Sequence, residues 1–226
     1  MALTRLDSDE RRKAIVAAAV PLFARNGFAG TTTRELAEAA GISEALLFRH
    51  FPSKQLLYRE ILRLGCEGDP ALEKLATLQP STATLVCMVR FMVRRFLLGG
   101  DAERAELDPR LRLLLHSFLE DGDYAREGFE TVSDRVVPLF EASLQAAIAA
   151  GDAVPRRGAP ANRFWFAHHV AAMMALASLP GPSCMPYEGP LDDIVDEAVS
   201  FILRGIGMTD AAIASGGEPA LQSAAD

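Results

Sequence analysis

Thr32, Thr33 and Arg34 stand at the start of one short helical pattern, Ser43, Glu44 and Ala45 open the next, and Lys54 opens a third. The free N–H groups of a helix start, with hydroxyls and a cation beside them, are suited to holding phosphate oxygens. An outward acid can accept from a cytosine amino group, and a bare methyl side chain can meet a thymine methyl. The chemistry on offer is recognition of a phosphodiester duplex, with no covalent step.

The elements that must position these groups are legible. Thr32 with Glu35 forms a capping box, Leu36, Ala37 and Ala40 give a small apolar face, and Gly41 stops the helix. Ser43 caps a helix that should run to about Phe51. Pro52-Ser53 ends it and caps another, with Leu56, Leu57, Ile61 and Leu64 expected to point inward. At about 100° per residue, setting Leu47 of the middle helix toward the core brings Ser43, His50 and Phe51 near it. Ala45 and Arg49 then fall on the opposite side, with Glu44 and Phe48 on one flank. Glu44 and Ala45 are placed for base edges, and Arg49 for guanine or phosphate. Thr31, Thr32, Thr33, Arg34 and Lys54 are candidate phosphate clamps around them. Two helices crossing closely at a small residue, a glycine turn and an apolar anchor make a helix-turn-helix.

Upstream, Asp7 and Glu10 predict a capped helix carrying Ile15, Ala19, Leu22 and Phe23 on one stripe, kinked at Pro21 and ending at Asn26-Gly27. Downstream, residues 81–98, 109–120, 123–150, 160–179 and 190–206 all read as helix, with a proline-rich loop before the last. The expected fold is all-α with about nine helices. Residues 1–53 form a helix-turn-helix domain, residues 54–208 a larger helical domain, and residues 209–226 a tail expected to lack order.

Composition narrows the function. The 226 residues are half apolar, yet no run approaches the roughly 20 apolar residues of a membrane span. The first fifteen residues lack the apolar stretch of a secretory signal, and Cys66, Cys87 and Cys184 fit no paired spacing, which favours a cytoplasmic protein with reduced thiols. The net charge of −7 is unevenly spread. Residues 1–64 carry ten basic and seven acidic side chains, and the remainder thirteen and twenty-three. A basic reader on an acidic body is compatible with a phosphate surface. None of the common catalytic or nucleotide-binding motifs is present, and His168 and His169 are adjacent, on different helix faces. No enzyme activity, metal or cofactor is expected.

The run GFAGTTTRELAEAAGISEALLFRHFPSKQLLYREIL resembles the N-terminal domain of the tetracycline-repressor family of bacterial transcription regulators. The agreement includes Gly27-Phe28, Thr31-Thr32, Ala40 to Ser43, and Phe51 with Lys54, over residues 10–62. The resemblance implies a homodimeric repressor of a palindromic operator in double-stranded DNA, released by a small-molecule effector. It implies DNA contacts from Thr32, Thr33, Arg34, Ser43, Glu44, Ala45, Phe48, His50 and Lys54. Members commonly carry a tyrosine where this chain has Phe48, so a phosphate bond there is either missing or replaced by apolar contact with a base methyl. The competing readings are a helical ligand-binding or scaffold protein, or an enzyme, without DNA affinity.

The resemblance also implies a ligand pocket and a dimer surface in the larger domain. Cys87, Phe91, Phe118, Trp165, His169 and Met173 are the candidate pocket residues, with His116, His169 and Arg94 as polar hooks, so the effector should be largely apolar. The last two long helices are the expected dimer surface, through Ala171, Ala175, Ile194, Val195 and Ile202.

Overall fold

The computed structural model describes residues 7–66, 70–98, 101–120, 122–179, 185 and 187–215. Among the described residues there are twelve helices: α1 (Ser8–Gly30), α2 (Thr33–Ala39), α3 (Glu44–His50), α4 (Lys54–Cys66), α5 (Pro70–Ala76), α6 (Thr82–Leu97), α7 (Asp101–Leu119), α8 (Asp123–Arg135), α9 (Val137–Ala149), α10 (Pro160–Leu176), α11 (Leu191–Ile206) and α12 (Asp210–Ser215). The all-α class holds, and among the described residues the only β pairing is one isolated bridge, Ala153 to Met208. The count exceeds nine partly because Pro138 divides the expected 123–150 helix into α8 and α9. It lacks the N–H a continuous helix would use there, and sits instead in the first turn of α9, where that donor is not needed.

The expected end of α1 is where its geometry breaks. Asp7 caps the start, accepting from the amides of Asp9 and Glu10 at 2.9 and 2.7 Å. The non-helical residue is Gly27, at φ 70° and ψ 177°, and not Pro21. Only glycine holds that conformation cheaply. A Cβ there would lie 2.8 Å from Glu120 Oε1 and 2.9 Å from His116 Nδ1, so those side chains would have to shift to admit one.

The chain forms two compact units. The first comprises residues 1–69 and 105–131, the second residues 70–104 and 132–226. The expected boundary at residue 53 is therefore too early, because α4 belongs with the helices before it. Leu57, Tyr58 and Ile61 of α4 are buried with Ile15, Phe23, Leu36, Leu47 and Phe51, as is Leu113 of α7. The rings of Phe23, Phe28 and Tyr58 pack at 5.0–6.2 Å. Each such burial stabilises the unit by roughly 1.5–3 kcal/mol. Leu56 points outward instead of inward, and the Leu64 side chain lies outside the described ones.

In the second unit α6 is the central helix, packed by α9, α10 and α11. Leu85, Val86, Val89 and Val93 are buried along it, which explains why residues 81–98 are apolar nearly all round. The C-terminal end is ordered further than expected. Val154 donates to Gly207 at 2.8 Å and Thr209 to Asp152 at 2.8 Å, and α12 follows with Ala212 buried. Residues 216–226 of the expected tail lie outside the described ones.

Candidate functional site

The two short helices of the first unit form as their caps dictate. Thr32 accepts from the Glu35 amide at 3.2 Å while Glu35 accepts from the Thr32 amide at 2.8 Å. The Ser43 hydroxyl accepts from the Leu46 amide at 3.2 Å. Gly41, at φ 65°, makes the turn between them. Leu47 and Phe51 are buried, each 2% exposed, and they fix the rotation of α3. Ser43, Glu44, Ala45, Phe48 and Arg49 are then exposed, and His50 is partly so. Ala45 and Arg49 are outward as the helical wheel requires, while Ser43, which the wheel sets near Leu47, is exposed at the helix start.

Contacts distant in sequence brace this surface. Arg12 of α1 donates to the His50 carbonyl, lies 4.2 Å from the centre of the Phe51 ring, and approaches Glu60 at 3.5 Å. One guanidinium thus ties the end of α3 to α1 and α4. Nothing local in the sequence marks Arg12, since its carbonyl partner is 38 residues away.

The candidate clamps differ among themselves. Thr31 is fully buried, and its hydroxyl donates to the Gly27 carbonyl at 2.8 Å, so it closes α1 rather than facing solvent. Thr32 is exposed, while Thr33 is half-buried and donates to Glu44 Oε2 at 2.8 Å. Arg34 is exposed and pairs with Glu38 at 2.9 Å. The hydrogen bond to Glu38 and its charge raise the Arg34 pKa. An exposed pair of this kind is weak and easily exchanged for a phosphate. Lys54 is partly inserted: its ammonium donates to the carbonyls of Phe28 and Thr31 at 2.7 and 2.9 Å and sits 4.2 Å over the Phe28 ring. Burial lowers its pKa, opposed by the charge of Glu120. Two of its three donors therefore hold the end of α1 in place.

The second unit contains a cavity of about 160 Å³ with an apolar wall. Phe91 lines it, as expected, together with Met92, Phe96, Val136, Arg95 and His168, among others. The other candidate pocket residues lie elsewhere. Cys87 is buried in the core, where burial pushes its thiol pKa up. Trp165 packs against that core without lining the cavity, while Phe118, His169 and Met173 are exposed. Of the proposed hooks, Arg94 is exposed and His116 lies beside Gly27 in the first unit. The polar groups on the wall are instead their neighbours, Arg95 and His168. One residue along a helix is a turn of about 100°, enough to exchange solvent for cavity. Burial, then the neighbouring His169, hold the His168 pKa at about 4.

The expected dimer residues also face inward. Ala171, Ala175, Val195 and Ile202 are buried within the protomer's own core, and Ile194 is partly buried. The free faces of α10 and α11 carry Phe166, Met173 and Phe201 instead, exposed by 66%, 53% and 67%.

Residues 15–61 match the family model of bacterial regulatory proteins, tetR family. The HTH-type transcriptional regulator RutR of Escherichia coli is 45% identical over 53 residues, 24% of this chain and 25% of RutR. The HTH-type transcriptional repressor KstR2 of Rhodococcus jostii is 45% identical over 82 residues, 30% of this chain and 40% of KstR2. The match thus spans a quarter to two fifths of these curated relatives. Among solved structures, NalD, the secondary repressor of the MexAB-OprM multidrug efflux pump in Pseudomonas aeruginosa, superposes with a TM-score of 0.64 at 20% identity, covering 90% of this chain and all of NalD. AibR in complex with isovaleryl coenzyme A and operator DNA gives 0.62 at 19% identity, covering 85% of this chain and 97% of AibR. These two likenesses show a shared fold across most of the chain.

Proposed function

We propose that this chain, whose residues 15–61 match the model of bacterial regulatory proteins of the tetR family, is a homodimeric transcriptional repressor that reads a palindromic operator through α3 and leaves it when a small, largely apolar ligand binds. The observation that carries this reading is the exposed row Glu44, Ala45, Phe48 and Arg49 on a helix locked by buried Leu47 and Phe51. A helix so anchored presents its N-terminal half to a major groove. Thr32, Thr33, Arg34 and Lys54 surround it as phosphate contacts, with Ser43 at the helix start and His50 at its end. The protein would act in the cytoplasm, where its DNA is.

The exposed Phe166, Met173 and Phe201 support self-association, since aromatic and Met side chains this bare favour burial against a partner. Two reading heads would address half-sites about 34–36 Å apart. A ligand that favours a different head spacing lowers affinity for the operator, and one that favours neither switches nothing. α7 and α8 each contribute residues to both units, which gives the ligand domain a covalent route to the reader. AibR, solved with both an acyl-coenzyme A and operator DNA, shows that this fold can hold both kinds of partner.

Selection from random duplex DNA at two salt concentrations tests the proposal. A palindromic consensus whose affinity falls steeply with salt is expected. Recovery of no palindrome would leave a helical ligand-binding protein or an enzyme as the better reading.

A further inference from the structure

The reading helix α3 closes without the glycine that ends many helices. Its last residue, His50, is followed by Phe51 in an extended conformation, at φ −133° and ψ 96°, and then by Pro52, which has no N–H to offer. The His50 carbonyl is instead capped from 38 residues away, by Nη1 of Arg12 on α1. The same guanidinium sits 4.2 Å over the Phe51 ring, and its Nη2 lies 3.5 Å from Glu60 of α4. A planar cation with donors on both sides can hold these places together; a flexible ammonium holds fewer of them.

The placement of α3 depends on such outside supports. A helix of seven residues does not hold its own geometry in water. Ser43 caps its start, and buried Leu47 and Phe51 anchor one face. Arg12 acts at the other end, where it opposes sliding and tilt of the helix about those anchors. Groups that read base edges must be held within about 0.5 Å of their working position. Basic side chains on phosphates reach out on long flexible stems and tolerate more. A loosened α3 therefore loses base discrimination before it loses its grip on the phosphates.

We propose that Arg12 is a positioning residue for base readout: it makes no contact with DNA itself, and it sets the specificity of recognition by fixing the C-terminal end of α3. This rests on the reading of α3 as the DNA-reading helix.

Fluorescence anisotropy on the full chain tests this. The operator recovered by selection is compared with a scrambled duplex of the same length, at several salt concentrations. Specificity is the ratio of the two affinities within each protein, so a smaller folded fraction cancels. Arg12→Met keeps an apolar stem and removes the charge and the donors. It should lower operator affinity about tenfold, on the scale of one base contact, and leave affinity for the scrambled duplex within about twofold. The salt dependence should stay as it is in the native chain. Arg12→Lys keeps the charge and a donor without the planar fork, and should lower the ratio by only about threefold. It also carries the test should Arg12→Met not fold. Both affinities falling together at unchanged salt dependence would make Arg12 a general structural brace and overturn the proposal. Both falling with a salt slope smaller by about one would make it a phosphate contact, and overturn it equally. A native chain that does not distinguish the two duplexes sinks the regulator reading, and this inference with it. A selective native chain whose ratio survives in both variants sinks this inference alone.

Discussion

The Thr33 hydroxyl donates to Glu44 Oε2 at 2.8 Å, joining the first turn of α2 to the first turn of α3. On the proposed reading, this bond favours one orientation of the Glu44 carboxylate before any DNA arrives. A held carboxylate accepts from a cytosine amino group at little entropic cost, and it repels a site that presents an acceptor instead. Glu44→Gln is expected to raise affinity for mismatched sites and to relax preference at one base position, by about 1–3 kcal/mol of discrimination. Thr33→Val should produce a weaker version of the same change. Competition binding with operators varied one base pair at a time measures both.

Arg34 and Lys54 should separate cleanly. Arg34 is exposed and pairs with Glu38 on its own helix, so Arg34→Ala should leave the melting temperature unchanged and lower the salt dependence of DNA binding by about one unit of slope. Lys54 also holds two carbonyls at the end of α1, so Lys54→Ala should lower the melting temperature as well. Equal melting temperatures for the two variants would contradict this division of labour.

Gly27→Ala should destabilise the first unit by at least about 1–3 kcal/mol from the backbone alone, because φ 70° with ψ 177° is a glycine region. Contact of the new methyl with Glu120 and His116 adds to it. Glu120→Ala in the same chain should recover part of the loss and none of the backbone component. Chemical denaturation of the single and double variants resolves the two.

The pH dependence follows from His168. Its folded pKa of about 4 lies below the ordinary histidine value of 6.5, so the unfolded chain takes up a proton first as pH falls. Stability from this group is complete above about pH 6.5 and is lost progressively down to about pH 4. The loss is on the order of 3 kcal/mol. His168→Phe should flatten the decline of stability over that window; an unchanged profile would place the responsible group elsewhere.

Phe201→Glu and Phe166→Glu alter exposed side chains, so the protomer should keep its helical content. Sedimentation should show conversion to a monomer, with operator affinity falling as the second half-site is lost. Ala175→Glu, at a buried position, should unfold the protomer instead.

What the sequence revealed was local. The capping boxes at Asp7 with Glu10 and Thr32 with Glu35 span three residues each and are present as expected. The outward face of α3 followed once Leu47 was set inward, because a seven-residue helix has little room for another choice. The contacts of Arg12 and Lys54 span 38 and 26 residues and depend on how helices cross, which no spacing encodes. In α10 and α11 periodicity located the apolar stripes but not what covers them. The inner stripe, with Val195 and Ile202, packs on the protomer, and the bare faces belong to Phe166 and Phe201. Arg95 and His168, each one position from the expected hooks Arg94 and His169, are the polar residues among those lining the cavity.

Leu113, wholly buried in the first unit, comes from α7, some fifty residues beyond the helix-turn-helix. The reading head is thus not a cassette that can be cut from the chain at the end of α4 and grafted onto another body. A fragment ending there would leave a leucine-sized hole in the core of the first unit, or close over it with the helices reset. Exchanging operator specificity between such regulators by recombination would succeed only when the later segment travels with the head, so its inheritance is discontinuous in the gene while being continuous in space.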